Sequence, residues 1–135
     1  MTVRQIYLAG STYSVTGGPQ EKYGEIKEGE RSVTVRRESK FQRFLEVCVL
    51  CNNADITPAG ASSGIFGAQD KGEVRVAGEA TESALLVLGA KCGVLPKDLE
   101  TQYTRLSEIP FDSSRKLMSV VVSSRSGERL LLTKG

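Results

Sequence analysis

Apolar residues along the chain fall into short alternating runs at its two ends and into helical stripes between them. Val3 to Ala9 and Thr12 to Thr16 are rich in β-branched and aromatic residues and flank Gly10-Ser11, which predicts a hairpin. Gly17 to Glu30 is polar and broken by glycines and a proline, so it reads as an exposed connection whose charges form a solvated surface. From Ser39 to Asn52 the residues Phe41, Phe44, Leu45, Cys48 and Cys51 recur at helical spacing, predicting an amphipathic helix with one buried stripe. Thr57 to Gly72 is a glycine-rich surface loop that Ile65 and Phe66 are expected to pin to the body. Glu73 to Ala77 alternates as a strand. A helix follows Gly78, with Ala84, Leu85, Leu88 and Cys92 on one face, Lys91 in its last turn and its end at Gly93.

Pro96 to Tyr103 is a connection with helical character, and Arg105 to Phe111 reads as a strand. Leu117 to Ser123 alternates so that Met118, Val120 and Val122 share a face. Ser124 to Gly127 supplies a turn, and Arg129 to Thr133 returns as a last strand before Lys134-Gly135. The sum is an α+β domain: about six strands in a mostly antiparallel twisted sheet, flanked by two clear helices.

Length and composition narrow this picture. At 135 residues and 39% hydrophobic content, the chain is long enough for one domain, 1–135, with its own core. A net charge of +2 is too balanced to predict a nucleic-acid surface. No apolar run is long enough to span a bilayer, and the N-terminus lacks the core of a signal peptide, so the segment is expected to be soluble. Three cysteines and no histidine argue against a disulfide framework and a zinc site, and fit a reducing compartment. The missing histidine also removes the commonest general base and any Ser/His or Cys/His nucleophile pair.

Two patterns invite a chemical reading and resist it. Cys48 and Cys51 form a CxxC, but inside the apolar stripe rather than at a helix start, so they read as small core residues. The glycine-rich stretch lacks the GxxxxGK[ST] order of a phosphate loop. A third pattern is more productive. In PFDSSRKLM, from Pro110 to Met118, the flat face of Phe111 stands close in sequence to the cations of Arg115 and Lys116. That combination suits a ligand with a planar base and phosphates. Glu79 and Glu82 lie in the first turn of a predicted helix, where the macrodipole favours negative charge.

The ordered set GEATESALL, PFDSSRKLMSVV and LLTKG resembles the nucleotide-binding (N) domain of type II P-type cation-transporting ATPases, most like the calcium pumps, nearly from end to end. MTV is similar to the residues that follow the family's phosphorylation-site motif, and KG to the start of its KGA motif. The resemblance implies that Phe111 stacks on the adenine of ATP and that Glu82 accepts from the adenine amino group. It further implies that Lys116 lies near the base and phosphate chain and Lys134 at the pocket floor. Thr81, Met118 and Gly135 are implied as lining residues. Where some calcium pumps carry an arginine the chain has Ser113, with Arg115 as the expected substitute. The family's N domain usually continues past KGA, so part of the pocket is expected to lie beyond Gly135.

The implied function is to bind ATP weakly and present its γ-phosphate to an aspartate in a DKTGT motif on a separate phosphorylation domain. That motif is absent here, so the domain alone is expected to bind ATP without hydrolysing it. Mg²⁺ belongs with the parent pump, on ligands outside this chain. The implied partners are the phosphorylation and actuator domains, on the cytoplasmic side of a membrane that this domain does not itself touch. The alternatives are an interaction domain without nucleotide affinity, in which PFDSSRK is a basic turn, and a self-contained ATP-dependent enzyme, for which no base or nucleophile constellation is visible.

Overall fold

The computed structural model describes residues 1–58 and 72–135, and its mixture of helices and antiparallel strands is α+β as expected. The single six-stranded sheet is not what forms. Among the described residues nine strands divide into sheets of four, two and three. Ile65 and Phe66 of the glycine-rich stretch lie outside the described residues.

The first sheet begins with the predicted hairpin, β1 (Gln5–Leu8) against β2 (Ser11–Val15). Its turn falls one residue earlier than expected, at Ala9-Gly10, where both residues have positive φ (51° and 85°). Two left-handed residues match the twist of the flanking strands, which is why Gly10 is useful here. β3 (Ile26–Glu28) and β4 (Arg31–Ser32) complete this sheet. The polar Gly17 to Glu30 stretch is therefore not all exposed connection: Ile26 pairs with Val15 and is 5% exposed. One apolar residue among many polar ones leaves no period to detect.

After a 3-10 turn at Val35–Arg37, α1 (Ser39–Leu50) buries Phe41, Leu45, Cys48 and Val49, close to the predicted stripe. It separates two cores. Cys48 packs with Tyr13, Phe41, Leu86 and Leu88, whereas Cys51, just past the helix, packs with Met118, Val120, Val122 and Leu132. Both thiols are free, and burial pushes the Cys48 thiol up to about 12 and raises that of Cys51. The CxxC is thus two core residues in different cores.

β5 (Asp55–Pro58) and β6 (Val74–Ala77) form the two-stranded sheet and lead into α2 (Ala80–Lys91). The one-faced reading of α2 was too narrow. Leu86, Val87, Leu88 and Ala90 are buried while Leu85 is only partly so, because the helix is surrounded by α1, β5 and β6. A helix enclosed on most sides has no solvent face to reveal its period. Gly89 allows the close approach, since a Cβ there would lie 2.7 Å from Val49 Cγ2.

α3 (Pro96–Glu100) starts on a proline and is fastened by Asp98, which accepts from the Leu95 amide at 2.9 Å. The last sheet is an antiparallel meander of β7 (Tyr103–Asp112), β8 (Leu117–Ser124) and β9 (Arg129–Lys134). Met118, Val120 and Val122 share its buried face, as their alternation predicted. No helix among the described residues is long and apolar enough to cross a membrane.

Candidate functional site

The N-terminus of α2 separates its two acidic residues by role. Glu79 caps the helix, accepting from the Thr81 amide at 3.3 Å, and those hydrogen bonds lower its carboxyl below the usual range. Glu82, one turn in, points inward. Its Oε1 accepts from Lys134 Nζ at 2.6 Å and from the Asn53 amide at 3.3 Å. The carboxylate side chain is 12% exposed and the lysine 20%.

Lys134 ends β9 opposite Met118 of β8. On the other side of β8 the register steps from Ile109↔Ser119 to Asp112↔Leu117, so Pro110 and Phe111 together face Met118. This is a bulge, two residues against one. Phe111, Met118 and Lys134 therefore occupy one row across three neighbouring strands, and two strand spacings put the outer pair about 10 Å apart. Phe111 is 60% exposed, whereas Met118 is 3% exposed and packs downward into the second core.

The turn that follows Phe111 is tied by Asp112. Its Oδ1 accepts from the amide and hydroxyl of Ser114 and from the Arg115 amide, and these bonds, that of the Ser114 hydroxyl first, lower the Asp112 carboxyl. Lys116 has φ +61°, an uncommon conformation for a side-chain-bearing residue, and its amide donates to Asp112 O at 2.7 Å. At Gly135 a Cβ would come within 2.7 Å of Lys116 O, so the end of the chain lies against this turn.

Arg115 does not join Lys116. Its guanidinium donates to Ser119 Oγ at 3.1 Å, and Ser119 exchanges a hydrogen bond with Thr133. Ser119 and Thr133 alternate with Met118 and Lys134, so Arg115 is turned to the opposite face of the sheet from the Glu82–Lys134 pair. Thr81 is exposed, its hydroxyl 3.6 Å from Met1 Sδ. The sequence-derived set thus splits. Glu82 bonds Lys134, which shares a row with Met118 and Phe111, and Gly135 lies against the Lys116 carbonyl beside them. Arg115 faces away, and Thr81 lies on the outer surface of the α2 start.

Four residues missed in the sequence hold Glu82 in place. Asn52 is buried and donates to Cys48 O at 3.0 Å and Glu82 O at 2.8 Å, while accepting from the Ala54 amide. Arg105 donates to Asn52 O at 3.2 Å and Asn53 Oδ1 at 2.9 Å. Asn53 Nδ2 in turn donates to Glu108 Oε1 at 2.6 Å, and Arg105 pairs with Glu108 Oε2 at 3.2 Å. The Asn-Asn pair after a helix was the available signal, and it reads first as a helix stop. A groove of about 650 Å³ opens beside this network, lined by Asn52, Asn53, Arg105, Ile56, Leu95 and Tyr103 among others, and takes in none of Glu82, Phe111, Lys116 or Lys134.

The assembled site offers a carboxylate acceptor, two lysines and an exposed ring. Residues 40–135 match the family model described as P-type ATPase, cytoplasmic domain N. The chain is 33% identical over 135 residues to a calcium-transporting ATPase of Bacillus subtilis (strain 168), covering 100% of the chain and 14% of that protein. It is 32% identical over 127 residues to the cation-transporting ATPase pma1 of Synechocystis sp. (90% of the chain, 13% of the relative). It is 27% identical over 128 residues to the sodium/potassium exporting P-type ATPase cta3 of Schizosaccharomyces pombe (93% of the chain, 11% of the relative). The chain therefore spans between 11% and 14% of the length of these relatives.

Proposed function

Because the chain belongs to the family of the P-type ATPase cytoplasmic domain N, we propose that it holds ATP for a cation pump and presents the γ-phosphate to an aspartate on a separate phosphorylation domain. The row of Phe111, Met118 and Lys134, with Glu82 bonded to its lysine end, is the observation that carries this reading. Adenine has a π face for Phe111 and an exocyclic amino group for a carboxylate. Among the described residues the hydrogen bonds to the Glu82 carboxylate land on Oε1, and Oε2 is the oxygen assigned to the amino group. Met118 forms the floor between ring and acid. Lys116 and Lys134 bring positive charge to the phosphates, with Gly135 alongside. Thr81, on the outer surface of the α2 start, and Arg115, bonded to Ser119, contribute only if they move.

Calcium is the ion assigned to the parent pump, after the relative from Bacillus subtilis that matches along the whole chain. Mg²⁺ accompanies the nucleotide on ligands outside this chain, and the phosphorylation and actuator domains are the partners. A ring stack of about 1–3 kcal/mol and a charged hydrogen bond of about 1.5–3 kcal/mol give dissociation constants from about ten millimolar to tens of micromolar. Titration of the 135-residue chain with ATP should give saturable binding in that range. Absence of binding up to about ten millimolar ATP would favour the interaction-domain reading.

A further inference from the structure

We infer that Arg105 is a positioning residue for nucleotide recognition, acting through Asn53 on the carboxylate of Glu82; this rests on the nucleotide reading. Arg105 and Glu108 are three apart on β7, and in a regular strand their side chains would point to opposite faces. The register instead steps from Arg105↔Val122 to Ser107↔Val121 and Glu108↔Val120, leaving Leu106 as an extra residue. That bulge puts Arg105 and Glu108 on one face, the same as their cross-strand partners Val122 and Val120, where they pair at 3.2 Å.

The pair then grips both ends of one side-chain amide. Arg105 Nη2 donates to Asn53 Oδ1, and Glu108 Oε1 accepts from Asn53 Nδ2. Arg105 Nη1 holds the preceding carbonyl, Asn52 O. With its side chain and the adjoining peptide fixed from β7, the Asn53 backbone has little freedom left. Its N–H is directed at Glu82 Oε1, the oxygen that Lys134 also occupies. The clamp thus helps decide which carboxylate oxygen is engaged internally and which faces a ligand. Because Phe111 lies further along β7, the strand that carries the stacking ring also sets the acid against which the base is read.

A surface ion pair with no such role contributes little and does not distinguish nucleotides. The test uses the full chain with Arg105→Met and Arg105→Lys, each checked for a native amide spectrum. It compares ATP with purine riboside triphosphate, which lacks the 6-amino group. Arg105→Met should weaken ATP by about five- to tenfold and the analogue by less than about twofold, because only ATP donates to Glu82. Arg105→Lys keeps a charge beside Glu108 without the fork onto Asn52 and Asn53, and should remain weakened toward ATP. Equal losses for the two nucleotides, no loss in Arg105→Met, or full recovery in Arg105→Lys would each overturn the inference. If the unsubstituted chain binds neither nucleotide, the nucleotide reading falls first and this inference with it, an outcome recognisable before any substitution is made.

Discussion

The two ends of the candidate site are built in opposite ways. At one end Glu82 and Lys134 hold each other at 2.6 Å, largely withdrawn from water, with Asn53 completing the acceptor's shell. At the other, Phe111 stands 60% exposed at the head of a turn tied by backbone and serine donors to Asp112. A partly buried ion pair contributes only when its geometry and extra hydrogen bonds offset desolvation, so that end is fixed before any ligand arrives. The ring gains its burial only when something covers it. Substitutions at the acid–lysine end should therefore lower stability as well as affinity, whereas those at the ring end should lower affinity alone.

The largest effect should come from Lys134→Met. Removing one partner leaves the Glu82 carboxylate with the Asn53 amide as its remaining donor among the described residues. Such a loss costs about 3–5 kcal/mol when fully buried, and about 2–3 kcal/mol here because the lysine keeps some solvent contact. Urea unfolding would register it, and a change below about 0.5 kcal/mol would remove the contrast between the two ends. Phe111→Ala should reduce ATP affinity by about 1–3 kcal/mol while leaving urea stability within about 0.5 kcal/mol, since the ring is mostly exposed. A large stability loss would mean that the ring is structural.

The smallest effect concerns the turn. Hydrogen bonds from Ser114 and Arg115 lower the Asp112 carboxyl from its ordinary 3.8, so their stabilisation is fully present above that value. It is lost as pH falls through the lower, folded value. The Ser114 amide shift should thus hold steady from neutral pH down toward 3.8 and move only in stronger acid. Movement at higher pH would show that these bonds do not set the turn.

How much of this was legible in the sequence differs between the same two ends. Alternation in β8 announced which face of Met118, Val120 and Val122 is buried, and helix-start chemistry marked the position of Glu82. The ring and the neighbouring cations were visible as residue types, yet sequence adjacency could not tell that Arg115 and Lys116 diverge. The left-handed Lys116 stands between Arg115 and the strand, and the guanidinium ends on Ser119, on the other face of the sheet. The clamp of Asn53, Arg105 and Glu108 was hidden for a related reason, because it depends on Leu106 being an extra residue in the register. Period-two patterning assumes no such step. Ile26 was missed because one apolar residue carries no period, and the enclosure of α2 because burial on most sides leaves none.

The central claim is that these differently built ends belong to one nucleotide site, and a residue-resolved amide-shift titration of the chain with ATP tests it most directly. The account predicts that amides at Glu82 and Lys134 and those at Phe111 and Lys116 shift together along one binding curve, while those around Cys48 in the first core stay in place. Shifts confined to one end, or none up to about ten millimolar ATP, would contradict it.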